Sequence, residues 1–122
     1  MVNITDNHGN TVAFLHSNII IDAAQENVLG LLLGSCIFGM GDAPIGKFFN
    51  DTFRLTDGRI MARMGNEIIP HKPSNEKDLF AAAWQLLTNV KDHVCMWIVE
   101  KDEWTAAPFS MHLAANHALA KQ

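Results

Sequence analysis

The chain has 122 residues, of which 48% are hydrophobic and 18% charged, and its formal net charge is −4. A chain of this length is expected to fold as one domain, over residues 1–122, with a core large enough to need no metal or disulfide. Its nine Lys and Arg residues are scattered along an acidic sequence, which disfavours nucleic acid as a partner.

The start of the chain and its longest apolar run bear on location. MVNITDNHGN lacks the basic and apolar stretches of a secretory signal. The apolar run over residues 28–41 is too short to span a bilayer and is interrupted by glycines. Cys36 and Cys95 each lie in an apolar run, which is typical of buried thiols in a reducing compartment, with one disulfide as the alternative. We therefore expect a cytoplasmic protein with no membrane partner.

A repeat covers the next part of the chain. Its four units are VAFLHSNIIID from Val12, LGLLLGSCIFG from Leu29, IGKFFNDTFRL from Ile45 and MARMGNEIIP from Met61. In each unit a small residue follows an aliphatic one, at Ala13, Gly30, Gly46 and Ala62. A turn-forming dipeptide comes next, and an apolar residue then recurs at Ile20, Ile37, Phe53 and Ile68. Three coincident series at near-equal intervals indicate a structural repeat.

Each unit is typical of a β-hairpin. The arms are short and rich in Val, Ile, Leu and Phe, and the dipeptides tolerate the positive φ angles of tight turns. A glycine inside a strand usually marks the close approach of another backbone. We therefore predict an α+β fold in which four short antiparallel β-hairpin repeats, over about residues 10–71, surround a pseudo-four-fold axis crowded by the small residues.

This pattern resembles the four-fold β-flower family, which comprises small bacterial proteins with repeats of the form aliphatic–Gly–Lys/Arg–aliphatic, a turn, and an arm ending near Asp–Gly. IGKFFNDTFRLTDG from Ile45, followed by RIMARMGNEII, carries the resemblance best, with Lys47 and Arg63 after the small residue. Phe14 and Leu31 depart from the basic residue at that place. The resemblance covers about residues 10–71 and implies the four-hairpin fold; it implies no activity.

Residues 72–122 are expected to form a helical segment that packs on the repeats. Apolar residues recur at three- and four-residue steps from about Glu76 to about Asn89, which predicts a helix with an acidic first turn. VCMWIVE, residues 94–100, is predicted to be a short strand, with a continued helix as the alternative. Pro108 suits the first turn of a last helix. The C-terminal segment is thus predicted to contain two helices and one strand.

We expect the tryptophans of this segment, Trp84, Trp97 and Trp104, to pack in the core. Contact with a second copy is the alternative, which makes the same three residues candidates for an oligomer interface, because aromatic residues are enriched in both places. None of the six histidines has the spacing of a zinc pair, and neither cysteine has a ligand at metal-binding spacing. We therefore expect no metal and no cofactor.

Two functions follow from these observations. The favoured one is a noncatalytic protein-interaction or binding module whose partner is a second copy or an unidentified protein. The alternative is a small-ligand-binding protein or an enzyme with a pocket between the β-repeats and the C-terminal helices. His71, His93 and Cys95 are the candidate ligand-binding residues of such a pocket. No sequence motif pairs an acid with a base or a nucleophile, so no catalytic residue is assigned.

Overall fold

The structure is a computed structural model that describes residues 1–41, 43–69, 73–90 and 97–119, with side chains described as far as residue 114. Its strands are β1 (Val2–Thr5), β2 (Thr11–His16), β3 (Ile19–Asp22), β4 (Val28–Leu33), β5 (Cys36–Phe38), β6 (Pro44–Phe49), β7 (Thr52–Leu55) and β8 (Ile60–Ile68). Its helices are α1 (Glu76–Asn89) and α2 (Phe109–Leu119).

The eight strands form a closed antiparallel barrel in chain order. β1 pairs with β2 on one side and with β8 on the other, so that the sheet has no free edge. The predicted fold class, four hairpins around a pseudo-four-fold axis with two helices and one strand, is therefore wrong. The reason is β1: it lies before the predicted repeats and supplies the strand that joins the last β-strand to the first hairpin in one continuous wall.

Three of the four predicted turns are confirmed. Two-residue turns join β2 to β3, β4 to β5 and β6 to β7, with positive φ at Ser17, Gly34, Asn50 and Asp51. The fourth, at Gly65 and Asn66, is wrong because both residues lie inside β8. β8 continues along β1, where a side chain at Gly65 would overlap Asn3.

The repeated small residues are buried beside irregularities in the strand pairing. Each of them is paired with an apolar residue on the adjacent strand, in the pairs Ala13–Ile4, Gly30–Ile20, Gly46–Ile37 and Ala62–Phe53. The register shifts directly after each of these apolar residues, as in a β-bulge. A Cβ atom on Gly30 would overlap the Phe38 carbonyl oxygen, and one on Gly46 would overlap that of Arg54. The predicted close approach is thus made by a neighbouring strand, and not by the other small residues around an axis.

Two hydrophobic cores hold the helices to the barrel. Inside it, buried side chains such as Ile4, Ile37 and Phe53 contact Phe109 and Leu113, so the first turns of α2 close one mouth of the barrel. The second core lies on the outer face, where Leu79 and Ala83 of α1 pack on β2, β3, β4 and β5. The alternation of side chains along each strand therefore gives the barrel two apolar surfaces, one for each helix.

The segment between the helices is not a strand where it is described. Residues 97–100 have no regular structure, and residues 94–96 of the predicted strand lie outside the described residues. The chain instead runs along β8, where the Ile60 N–H donates to the Glu103 carbonyl at 2.8 Å and the Thr105 N–H donates to the Ile60 carbonyl at 2.9 Å. These two bonds use backbone groups of Ile60 that do not pair with β7, and the described part of the segment forms one β-bridge with Ile60, at Trp104.

Cys36 of β5 is disulfide-bonded, so the expected buried free thiol is wrong at this position and the disulfide alternative holds. Cys95 lies outside the described residues. Within the described ranges, neither helix has the length and apolar character that crossing a membrane requires.

Candidate functional site

The first turn of α1 is fixed to the barrel by a polar and aromatic contact. His16 of β2 places its Nε2 atom 2.6 Å from the Glu76 carboxylate. The same imidazole stacks on the ring of Phe80, with 5.8 Å between centroids and 8° between planes. Because His16 and Glu76 are both largely buried, this contact sets the position of the helix and of Phe80 on the outer face of the barrel.

An apolar stripe on α1 is left uncovered by the barrel. Phe80, Trp84 and Leu87 follow one another at helical spacing and are 42%, 63% and 37% exposed. Beside them lies a cavity of about 260 Å³, which we call the α1 groove; its lining residues are Asn18, Ile19, Leu31, Leu33, Phe80, Ala83, Trp84 and Leu87. Seven of these eight side chains are apolar, so the α1 groove is suited to an apolar partner and not to polar chemistry.

A second cavity, which we call the Trp97 cleft, lies between β6 and residues 97–100. It has a volume of about 530 Å³ and is lined by Lys47, Phe49, Trp97, Ile98, Val99 and Glu100. The Lys47 ammonium group lies 5.7 Å from the centroid of the Phe49 ring and 5.9 Å from that of Trp97. Trp97 is 85% exposed. The cleft thus combines two aromatic faces with a cation.

Arg54 of β7 lies next to two residues that line the Trp97 cleft, Phe49 and Glu100. It is only 8% exposed, and its Nη1 atom donates to the carbonyls of Gly58 and Lys101, each at 2.7 Å. Its Nη2 atom is 3.6 Å from a Glu100 carboxylate oxygen, and its guanidinium carbon is 5.8 Å from the Phe49 ring centroid. Its Nε atom is buried without a hydrogen-bond partner among the described residues. The backbone bonds hold a second positive charge in a fixed place.

A third cavity, of about 250 Å³, lies at the mouth of the barrel that α2 closes. Asp6, His8, Trp104 and Phe109 are among its lining residues. The Asp6 carboxylate accepts hydrogen bonds from two backbone N–H groups of its own loop. The bond from Asn10 is the main cause that lowers the pKa of this carboxyl group. A carboxylate committed to its own loop is suited to stabilising the turn and not to acid catalysis.

His112 of α2 lies near this mouth, and its pKa is lowered chiefly by burial. Its Nε2 atom is 2.8 Å from the Thr105 hydroxyl oxygen, whose own hydrogen is donated to the Ala107 carbonyl at 3.3 Å. The imidazole is therefore engaged in holding α2 to the segment before it, and among the described residues no carboxylate is hydrogen-bonded to it.

The structure separates the predicted interface residues. Trp84 lines the α1 groove, Trp97 its own cleft, and Trp104 the cavity at the barrel mouth. Packing in the core is wrong for Trp84 and Trp97, which are exposed, whereas Trp104 is half-buried beneath the Arg63 guanidinium group at 5.4 Å.

The predicted ligand-binding residues, His71, His93 and Cys95, all lie outside the described residues. Sequence reasoning missed the partners that build the clefts, namely Phe80, Lys47 and Arg54. The spacing of Phe80, Trp84 and Leu87 was visible, but it does not distinguish a buried stripe from an exposed one. Nothing in the sequence links Lys47 to Trp97.

Across the ranges that the structure describes, no three His, Cys, Asp or Glu residues are placed to hold a metal ion. No family model, curated protein or solved structure matches the chain. The resemblance to the four-fold β-flower family therefore stays a prediction.

Proposed function

We propose that the chain is a noncatalytic protein-interaction module that associates with a second copy of itself through the α1 groove. The observation that carries the proposal is the exposed stripe of Phe80, Trp84 and Leu87 beside an apolar cavity. Large apolar side chains grouped on a soluble surface are typical of interaction sites. Tryptophan is one of the residue types enriched among those that dominate binding energy.

A second copy is favoured over another partner because the surface is complementary to itself. Trp84 is 63% exposed and lines the same groove that offers about 260 Å³ of apolar space. In a two-fold dimer the same patch of each copy faces the other. The projecting indole of one copy can then enter the groove of its partner, where it contacts Ile19, Leu31 and Leu33, and the exchange is reciprocal.

The area available predicts weak association. Burying the exposed parts of Phe80, Trp84 and Leu87 removes roughly 300 Å² per copy from water, taking about 150–250 Å² for a whole aromatic side chain. A stable interface buries about 800 Å² per partner. The three side chains therefore supply less than half of that area, and we expect a monomer–dimer equilibrium that depends on concentration in the micromolar range.

Sedimentation velocity across a concentration series tests this proposal. We expect the wild-type chain to shift from monomer to dimer as its concentration rises, because the groove is filled only in the dimer. Trp84→Ala removes the central side chain of the stripe. We expect this variant to remain monomeric up to a concentration at least tenfold higher than the wild-type chain does. Trp97→Ala is the matched control, since it deletes an equally large exposed indole outside the groove. A wild-type chain that stays monomeric at millimolar concentration, or equal effects of the two variants, contradicts the proposal.

The cytoplasmic location stays a prediction from the sequence, and the disulfide at Cys36 weighs against it, since cytosolic reductants keep thiols reduced. Thiol alkylation of freshly lysed cells distinguishes a reducing cytoplasm from an oxidising compartment. Labelling of Cys36 before reduction supports the cytoplasmic location, and labelling only after reduction supports an oxidising compartment.

A further inference from the structure

We propose that the Trp97 cleft binds a small organic anion that carries a planar aromatic ring. This site is separate from the α1 groove and does not depend on self-association. Its volume of about 530 Å³ falls within the range of about 300–1,000 Å³ that is usual for ligand sites. Its lining contains a cation that can contact the anionic group of such a ligand and exposed aromatic faces that can contact its ring.

The anionic group is expected at Lys47. In the part of the chain that the structure describes, no carboxylate oxygen lies within 4.0 Å of its ammonium group. The ammonium group is instead flanked by the rings of Phe49 and Trp97 on a half-buried side chain. An ammonium group that is partly removed from water gains most from an anion that can reach it, because such a pair is less screened than one in open solvent.

Arg54 strengthens the preference for an anion. Its buried guanidinium group is held beside the Phe49 ring by two backbone carbonyls. Among the described lining residues Glu100 carries the negative charge, and its carboxylate lies 3.6 Å from the Arg54 guanidinium group. Glu100 is therefore paired with Arg54, which leaves the charge of Lys47 available to a ligand.

The aromatic ring is expected on Trp97. An indole that is 85% exposed leaves a face free for stacking, and offset stacking adds about 0.5–1.5 kcal/mol to the burial of the rings. A cationic ligand is the other chemistry that aromatic rings can select. It is disfavoured here because Lys47 already occupies the space near both rings and would repel a second cation.

Titration calorimetry with three probes tests the proposal. Benzoate carries a carboxylate on a ring, adenosine monophosphate carries a phosphate on a nucleoside, and tetramethylammonium carries a positive charge without a ring. We expect at least one aromatic anion to bind with a dissociation constant below 1 mM at low salt, which is an order-of-magnitude expectation for a small ligand with one charge contact. The anion that binds more tightly shows whether the cleft prefers a carboxylate on a simple ring or a phosphate on a nucleoside. Failure of both, or preference for tetramethylammonium, overturns the proposal.

Matched variants locate the binding. Lys47→Gln is expected to weaken the better anion at least tenfold, whereas Lys77→Gln, which removes an exposed lysine from α1, is expected to leave it unchanged. In the wild-type chain, binding is expected to shift the NMR signal of the Trp97 indole N–H and not that of Trp84. Equal effects of the two lysine substitutions, or a shift confined to Trp84, contradict a site in the Trp97 cleft. Thermal melts of both variants show whether each is folded.

Discussion

At Gly30 and Gly46 the small residue of the repeat is explained by the close approach of a neighbouring strand. At Gly46 the backbone of β7 comes so close that a Cβ atom would overlap the Arg54 carbonyl. This approach occurs at the bulge after Phe53, where the pairing register of β7 and β8 shifts. Arg54 then directs its side chain out of the barrel toward Gly58 and Lys101. The glycine thus permits the backbone path that positions the cation behind the Trp97 cleft.

Gly46→Ala is therefore expected to destabilise the fold. Overpacking of this kind costs about 1–3 kcal/mol, and here the obstacle is backbone that a rotamer change cannot move. Gly9→Ala is the control: nothing lies within 4 Å of the added atom, and the change costs only the strain of a positive φ, about 1 kcal/mol. Urea unfolding measures both. An equal or smaller loss at Gly46 would show that β7 does not approach this closely.

The sequence predicted close approach at the small positions, because a recurrent glycine in a strand needs a packing reason, and the structure shows it at Gly30 and Gly46. The sequence could not show which backbone approaches. Gly30 and Gly46 meet a neighbouring strand rather than each other, and that depends on the register shifts. The contact between Lys47 and Trp97 could not be predicted either, since residues 50 positions apart meet only after the barrel has closed.

Among the secondary-structure elements, short-range sequence patterns were enough to predict the helices and the two-residue turns. The other elements depend on contacts between residues that are distant in the sequence. The apolar period of α1 and the dipeptides at the two-residue turns are short-range features, and they fixed those elements. The apolar run over residues 94–100 is equally short, but its described part, residues 97–100, is irregular chain, and the residues after it bond to Gly58 and Ile60, which are far away in the sequence. Which face of α1 stays exposed also depends on the barrel, since His16 sets its orientation.

The loop between β3 and β4 shows how an aspartate stabilises a connection. The Asp22 carboxylate accepts hydrogen bonds from the Glu26 and Asn27 backbone N–H groups at 2.8 and 3.3 Å, and from the Asn27 side chain at 3.0 Å. Burial alone would raise the pKa of Asp22, but these bonds lower it below its ordinary value of 3.8. Ionised Asp22 therefore stabilises the folded state above pH 3.8, and this contribution is lost as the pH falls through the lower folded pKa.

Asp22→Asn is expected to cost about 0.5–1 kcal/mol at pH 7, a range reduced by solvent exposure of the loop. The difference from the wild-type chain should shrink as the pH falls below 3.8, because the wild-type carboxylate is then protonated. Asp51→Asn is the control: its carboxylate accepts no hydrogen bond from the described residues, and its positive φ suits asparagine. Thermal unfolding from pH 7 to pH 2.5 measures both. A loss at Asp22 that does not change with pH contradicts a role for its charge.

At the scale of the whole molecule, closing the barrel determines which surfaces remain available. A ring in which β1 pairs with both β2 and β8 presents no strand edge for pairing with another chain. Its interior is filled by its own side chains and by Phe109 and Leu113 of α2. The apolar surface available for association therefore lies on exposed side chains, which include the stripe of α1 and Trp97, and not on an edge of the closed sheet.

Isotope-filtered NMR on a mixture of labelled and unlabelled chains tests the proposed association most directly, because it detects contacts between copies and not within one. We expect intermolecular NOEs from the Trp84 indole of one copy to the methyl groups of Leu31 and Leu33 in the other, at concentrations where the dimer is populated. Intermolecular NOEs that involve Trp97 instead, or the absence of any at millimolar concentration, would contradict the proposed association.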